Sequence, residues 1–163
     1  MKKLVSLLVV VCLLGAGAWF MFAPKPAAPS VTFHTLDDKQ LALDDMKGSV
    51  VLVKFWATSC VTCIKQMPDT IALYDELKPQ GFDVVAVAMS YDPVEYVKHF
   101  ASTRKLPFTV AIDGSGEIAK AFDDVRLTPI AFLVGKDGSI IKKYLGNYDK
   151  QDLKNTVQAA LAS

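Results

Sequence analysis

The residues best equipped for chemistry are two thiols, Cys60 and Cys63, placed directly after the apolar run Val50-Val51-Leu52-Val53-Lys54-Phe55-Trp56-Ala57. A run of that kind reads as a buried strand, so the pair falls at a strand-to-helix junction. There the first thiol meets free backbone N–H groups and the positive end of the helix dipole, both of which favour a thiolate. The second lies one turn deeper on the same face. Thiols so placed can attack a disulfide, hold a mixed disulfide, and release it by internal attack. The same spacing is also half of a zinc site, but a structural zinc ion needs two further Cys or His ligands at matching spacing. The remaining candidates are Cys12, in an apolar N-terminal segment, and His34 and His99, each alone and each read as a surface residue. Redox chemistry is the reading, with no metal and no bound cofactor.

The elements that must position this pair occupy most of the chain. It has 163 residues and a formal net charge of +1. Acids and bases are interspersed, and no basic cluster accompanies the aromatic positions, which argues against a nucleic-acid binder. Lys2 and Lys3 precede an uncharged run from Leu4 to Ala23, about the 20 residues needed to span a bilayer. Residues 1–23 are therefore read as a signal-anchor or transmembrane helix, with the lysines cytoplasmic and the remainder exported. Cleavage after Ala16-Gly17-Ala18 would instead release a soluble periplasmic or secreted protein. Lipidation at Cys12 is a third route; otherwise Cys12 is a small apolar residue. Residues 24–30, rich in Pro and Ala, read as a stiff tether, and residues 31–163 as one domain.

Within the domain, short strands at Val31-Thr32-Phe33 and Leu41-Ala42-Leu43 flank a polar turn, and Val50 to Trp56 is a strand buried on both faces. Thr58 or Ser59 is expected to cap the next helix, whose apolar positions are Ile64, Met67, Ile71 and Tyr74, with Pro68 predicting a kink. Phe82 to Met89 is a second buried strand. Asp92-Pro93-Val94-Glu95 reads as a capped helix start, with Val94, Val97 and Ala101 as its buried stripe. Asp92, Glu95 and Asp113 are read as turn and cap residues. A strand from Phe108 to Ile112, a short helix from Glu117 to Phe122, a hairpin of Ile130–Val134 with Ser139–Tyr144, and a helix from about Asp149 complete the chain. The order argues for an α/β fold, a central mixed β-sheet with helices on both faces and an N-terminal β extension.

The segment from Val53 to Cys63, then Pro68, then Thr128-Pro129-Ile130-Ala131-Phe132-Leu133-Val134, resembles thioredoxins. More closely it resembles the membrane-tethered TlpA/ResA-like thiol-disulfide oxidoreductases of the bacterial envelope. The resemblance implies a thioredoxin-like fold, Cys60 as the exposed nucleophile, Cys63 as the resolving thiol, and a reversible Cys60–Cys63 disulfide. It also implies a cis peptide bond at Pro129, with the Thr128 backbone free to pair with an incoming peptide in the manner of an added strand. Trp56 is either a wall of the active site or a packed core aromatic.

Two positions depart from the pattern. Where thioredoxins carry a buried aspartate this chain has Lys54, and where ResA-like members carry a glutamate after the second cysteine it has Gln66. Lys54 either packs its stem and carries its ammonium to water, or is desolvated near Cys63 and tunes that thiol. Gln66 can hydrogen-bond but not titrate, and reads first as a solvated helix residue.

The functional reading is an envelope dithiol-disulfide oxidoreductase that reduces substrate disulfides, because Val61-Thr62 contains no group that would stabilise the Cys60 thiolate strongly and make the pair an oxidant. The resemblance implies disulfide-bearing protein substrates, such as apocytochrome c or copper-site cysteines, and a membrane thiol-electron transporter as reductant. A peroxiredoxin would need proline at position 53 and threonine at position 57, where this chain has Val53 and Ala57. A thioredoxin-fold copper carrier using Cys60, Cys63 and a histidine is the alternative, although soft-metal carriers of this fold space their cysteines CxxxC.

Overall fold

The computed structural model describes residues 25–163; the apolar N-terminal segment and Cys12 lie outside them. Among the described residues no helix is long and apolar enough to cross a membrane.

The centre of the domain is strand β3, Val50–Trp56, and all seven of its residues are buried. Burial on both faces is what an unbroken apolar run requires, and the neighbours supply it. The five-stranded sheet runs β5-β4-β3-β6-β7, with β4 at Phe82–Ala88, β5 at Thr109–Ile112, β6 at Ile130–Val134 and β7 at Ile140–Leu145. β3 pairs with β4 in parallel and with β6 antiparallel, so Lys54 sits between Ala86 and Ala131. The first two strands form a separate hairpin, β1 at Thr32–His34 and β2 at Gln40–Ala42, which lies against the β5 edge through a Thr35–Ala111 bridge.

Alternation along β3 divides the core. Val50, Leu52 and Trp56 face Cys63, Met67, Tyr74 and Leu77 of helix α1, Val61–Leu77, and Leu153 and Val157 of the C-terminal helix. Val51, Val53 and Phe55 face the other way, against Phe33, Ile118, Phe122 and Phe132. On that second face Phe55 meets the Phe122 ring edge-on at 5.5 Å. Helix α2, Val94–Arg104, and helix α4, Lys150–Ala162, share α1's side, while α3, Glu117–Ala121, covers the opposite one. This is the thioredoxin-like α/β arrangement, a mixed sheet between helices with an added N-terminal hairpin.

Several local expectations are corrected. Helix α1 has Cys60 itself as its N-cap rather than Thr58 or Ser59. Helix α2 begins after Pro93, with no side-chain cap. Asp92 is buried and its carboxylate turns back to Thr58, accepting the Thr58 N–H at 2.6 Å and the Thr58 hydroxyl. Val94, expected in the buried stripe, is 42% exposed, while Val97 is buried. Asp113 does cap as expected, accepting the Ile118 and Ala119 N–H groups of α3 at 3.1 and 2.7 Å. Part of the expected tether is bonded into the domain: Pro26 accepts the Ile140 N–H at 2.7 Å and Ala28 donates to Gly138 at 2.9 Å.

Candidate active site

Strand β3 delivers the chain to the sheet's end at Trp56, and the short turn from Ala57 to Ser59 leads into α1. Asp92 fixes that turn through Thr58. Cys60 then stands at the helix N-cap with extended backbone, and its Sγ accepts the Cys63 N–H at 3.2 Å. A sulfur in this place receives a backbone donor and the helix dipole, both of which favour negative charge on it. Cys63 follows one turn later and is joined to Cys60 in a disulfide, with Cα atoms 5.2 Å apart. Cys60 is partly exposed, whereas Cys63 has no exposed surface. Only one sulfur of the pair is open to a large partner.

The Thr128–Pro129 peptide bond is cis. Leu127, just before it, is among the most exposed apolar side chains at 75%. The Thr128 hydroxyl lies 3.4 Å from that of Tyr91, and Val61, following Cys60, is exposed as well. Trp56 is wholly buried and packs its ring on Phe100 with centroids 5.2 Å apart.

Lys54 lies under the same end of α1. It has no exposed surface, so its ammonium does not reach water. Its Nζ donates at 2.8 Å to Gln66 Oε1 and at 2.8 Å to the Tyr148 hydroxyl, and it sits 5.0 Å from the Tyr148 ring centroid. Neither partner carries charge. Burial without a counter-ion pushes the lysine down to about 7, because desolvation penalises the ammonium form. The same burial pushes Tyr148 up to about 12. Gln66 is also buried, not solvated as its sequence position suggested. Its Nε2 donates to the Gly146 carbonyl at 3.0 Å, and the Gly146 N–H donates to the Pro129 carbonyl at 2.9 Å. Gly146 adopts a left-handed φ of 61°, a conformation glycine enters without steric cost. A continuous chain of hydrogen bonds therefore runs from Lys54 through Gln66 and Gly146 to the cis-proline.

Tyr148 is the site residue that sequence reasoning missed. Just before the α4 cap Asp149, five residues ahead of Leu153, it carries the signature of a hydrophobic staple. Nothing local indicates that its hydroxyl meets a lysine on β3. His34 and His99 are exposed. Among the described residues, no three His, Cys, Asp or Glu side chains are grouped to hold a metal ion, so the copper-carrier alternative gains no support.

Comparison with known proteins meets this geometry. The model of the Redoxin family matches residues 23–161. The chain belongs to the Redoxin family. The thiol-disulfide oxidoreductase ResA of Bacillus thuringiensis subsp. konkukian is 36% identical over 127 residues, covering 78% of this chain and 72% of that protein. ResA of Bacillus subtilis is 31% identical over 147 residues, covering 86% and 81%. Among solved structures, a thiol:disulfide interchange protein of the thioredoxin family from Chlorobium tepidum superimposes with a TM-score of 0.78 at 26% identity, covering 85% of this chain and 98% of that one. With its paired cysteines, this Redoxin-family chain is a thioredoxin-fold protein thiol-disulfide oxidoreductase.

Proposed function

We propose that the protein reduces disulfides in exported proteins, with Cys60 as nucleophile and Cys63 as resolving thiol. The observation that carries the assignment is the asymmetry of the pair: Cys60 is partly open at the helix N-cap and Cys63 is fully enclosed. The Cys60 thiolate attacks a substrate disulfide, and one substrate sulfur leaves as a thiolate. Cys63 then attacks Cys60, closing the Cys60–Cys63 disulfide and freeing the second substrate sulfur. Thr128 and Pro129 present the loop on which an extended substrate segment pairs, next to the exposed Leu127 and Val61. Lys54 and Gln66 tune the resolving thiol from below. A membrane thiol-electron transporter returns the dithiol to its reduced form, and disulfide-bearing proteins, such as those in cytochrome c or copper-site maturation, are the substrates.

Cys63→Ser is expected to accumulate mixed disulfides through Cys60, while Cys60→Ser forms none; equal trapping by the Cys60 variant would reverse the two roles. The location follows from the apolar segment 4–23, which would anchor the domain on the outer side of the cytoplasmic membrane. Protease added to cells with a permeabilised outer layer should digest the domain and leave the N-terminus with the membrane. Soluble protein beginning at Trp19 would mean that the segment is a cleaved signal.

A further inference from the structure

Among the described residues, the large apolar side chains left exposed are Val61, Tyr91, Val94, Tyr96, Leu127 and Leu145. Their distribution is uneven. Val61 follows Cys60, and Tyr91 and Val94 follow the end of β4, where Ala88 pairs with Trp56. Leu127 precedes the cis-proline, and Leu145 closes β7 opposite Ile130. All of these stand at the Cys60 end of the sheet, and Tyr96 extends them along the first turn of α2. Pro26 and Ala28 are bonded to Ile140 and Gly138 at the other end, where β3 begins and Val51 pairs with Val134. Uncovered apolar surface gathered in one place marks an interaction site. Under the proposed anchoring, this end of the domain lies away from the point where the chain leaves the membrane, so protein rather than lipid meets it.

One part of this surface is shaped. Tyr96, His99, Phe100, Thr103 and Arg104 of α2, together with Thr58, line an open groove of about 540 Å³. Its floor is rigid, because Phe100 packs on the buried Trp56 ring at 5.2 Å and the Asp92 carboxylate holds Thr58. Thr58 stands two residues before Cys60, so the groove is continuous with the place of disulfide exchange. Its charge is one-sided. The Arg104 guanidinium lies over the Phe100 ring at 5.7 Å, and no acidic side chain lines the groove. Among the described residues Arg104 has no carboxylate partner, whereas Arg126 is paired with Asp124 and Glu95 of α2 with Lys98.

We propose that the α2 groove is a second docking site for the disulfide-bearing protein being reduced, and that it takes a client segment carrying an aromatic side chain beside a carboxylate. The inference rests on the disulfide-reducing function proposed above and names which clients it selects. The client's ring lies against Tyr96 and Phe100. Its carboxylate accepts from the Arg104 guanidinium, whose planar fork fits both oxygens. From Tyr96 to Arg104 the helix rises about 12 Å, the length of about four extended residues. A client is then held at two points. Main-chain pairing at Thr128 is indifferent to sequence, and the groove is not.

Charge also argues against a second copy of this chain as the occupant. A two-fold contact places the same patch on both sides, and here it would set Arg104 and His99 of one copy against Arg104 and His99 of the other. An acidic client segment removes that conflict. The exchange reaction at Cys60 and Cys63 is untouched by the groove, which acts on the encounter and not on the thiols.

The test uses the reduced full chain in vesicles of zwitterionic phospholipid and two peptides with the same internal disulfide. One carries a Phe-Glu pair and the other a Phe-Lys pair about six residues from a cysteine, a reach of roughly 20 Å. The wild type is expected to reduce the Phe-Glu peptide with a kcat/KM roughly tenfold above that for Phe-Lys, the equivalent of about 1.4 kcal/mol. Arg104→Met should abolish the preference and Arg104→Glu should invert it, an outcome that a merely structural arginine does not produce. Tyr96→Ser should lower kcat/KM for both peptides. Reduction of cystamine, which has no second segment, should be the same in all four proteins. An identical preference in the wild type and Arg104→Glu would overturn the proposal. So would a wild-type preference that vanishes when anionic phospholipid is added to the vesicles, since headgroups would then hold the groove, or one that fades as protein concentration rises, since a second copy would. A wild type that reduces neither peptide nor cystamine would sink the disulfide-reducing function itself.

Discussion

Lys54 and Asp113, on opposite faces of the sheet, are both buried almost completely, and the two are held in opposite ways. Asp113, 2% exposed on the α3 side, has both carboxylate oxygens engaged by backbone N–H groups of a helix N-terminus. Lys54, with no exposure on the α1 side, has only a neutral amide and a neutral hydroxyl around it. Backbone donors at the helix start hold the carboxylate in one geometry. Neutral side chains tolerate both protonation states, so the lysine stays near the point of changing. The difference separates a carboxylate tied into the backbone from a lysine left near its titration point.

Removing each group should expose that separation. Asp113→Ala leaves two buried N–H groups without acceptors and should cost about 3 kcal/mol in urea denaturation, with the dithiol potential unmoved. A shifted potential would mean that the α3 face communicates with the cysteines. For Lys54 the sign is opposite. Its folded value, about 7, lies below the ordinary 10.5, so its full stability is present above 10.5 and is lost as pH falls towards 7. Within that window the unfolded chain holds a proton that the native state has released, and native stability should rise by up to about 1.4 kcal/mol per pH unit. Lys54→Met should flatten this slope, keep or strengthen the fold, and make the couple more reducing by roughly 30 mV, the equivalent of about 1.4 kcal/mol. An unchanged slope and potential would place Lys54 with Asp113 as a packing residue. Asp92, also buried, accepts from the Thr58 N–H and should side with Asp113. Asp92→Asn is expected to lose about 1 kcal/mol by calorimetry and to leave the pH dependence of Cys60 alkylation in place.

What could be read from the sequence divides along the same line. The Cys60–Cys63 pair, the strand before it and the Thr128-Pro129 element are contiguous in the chain, and their signals are local. Strand β3 could be read because burial on both faces leaves an unbroken apolar run. Asp92 misled because Asp-Pro-x-Glu is a valid helix start, yet a partner 34 positions earlier, Thr58, took the carboxylate. Val94 was misplaced with it. Lys54 and Gln66 were visible as departures, but their common surroundings depend on Tyr148, 94 positions beyond Lys54. No periodicity or cap signal encodes a contact at that range; it exists only once α4 has packed beside α1.

The strand-like docking of residues 26–28 on the β6–β7 hairpin has a consequence for reach. Between the last residue of the apolar segment, Ala23, and the first docked residue, Pro26, only Pro24 and Lys25 intervene, and the three Cα–Cα steps from Ala23 to Pro26 span at most about 11 Å. Under the proposed anchoring, the domain would be moored with almost no slack. It could not sweep a wide volume for clients; they would come to it, and its reductant would have to meet the Cys60 face within a molecular diameter of the bilayer.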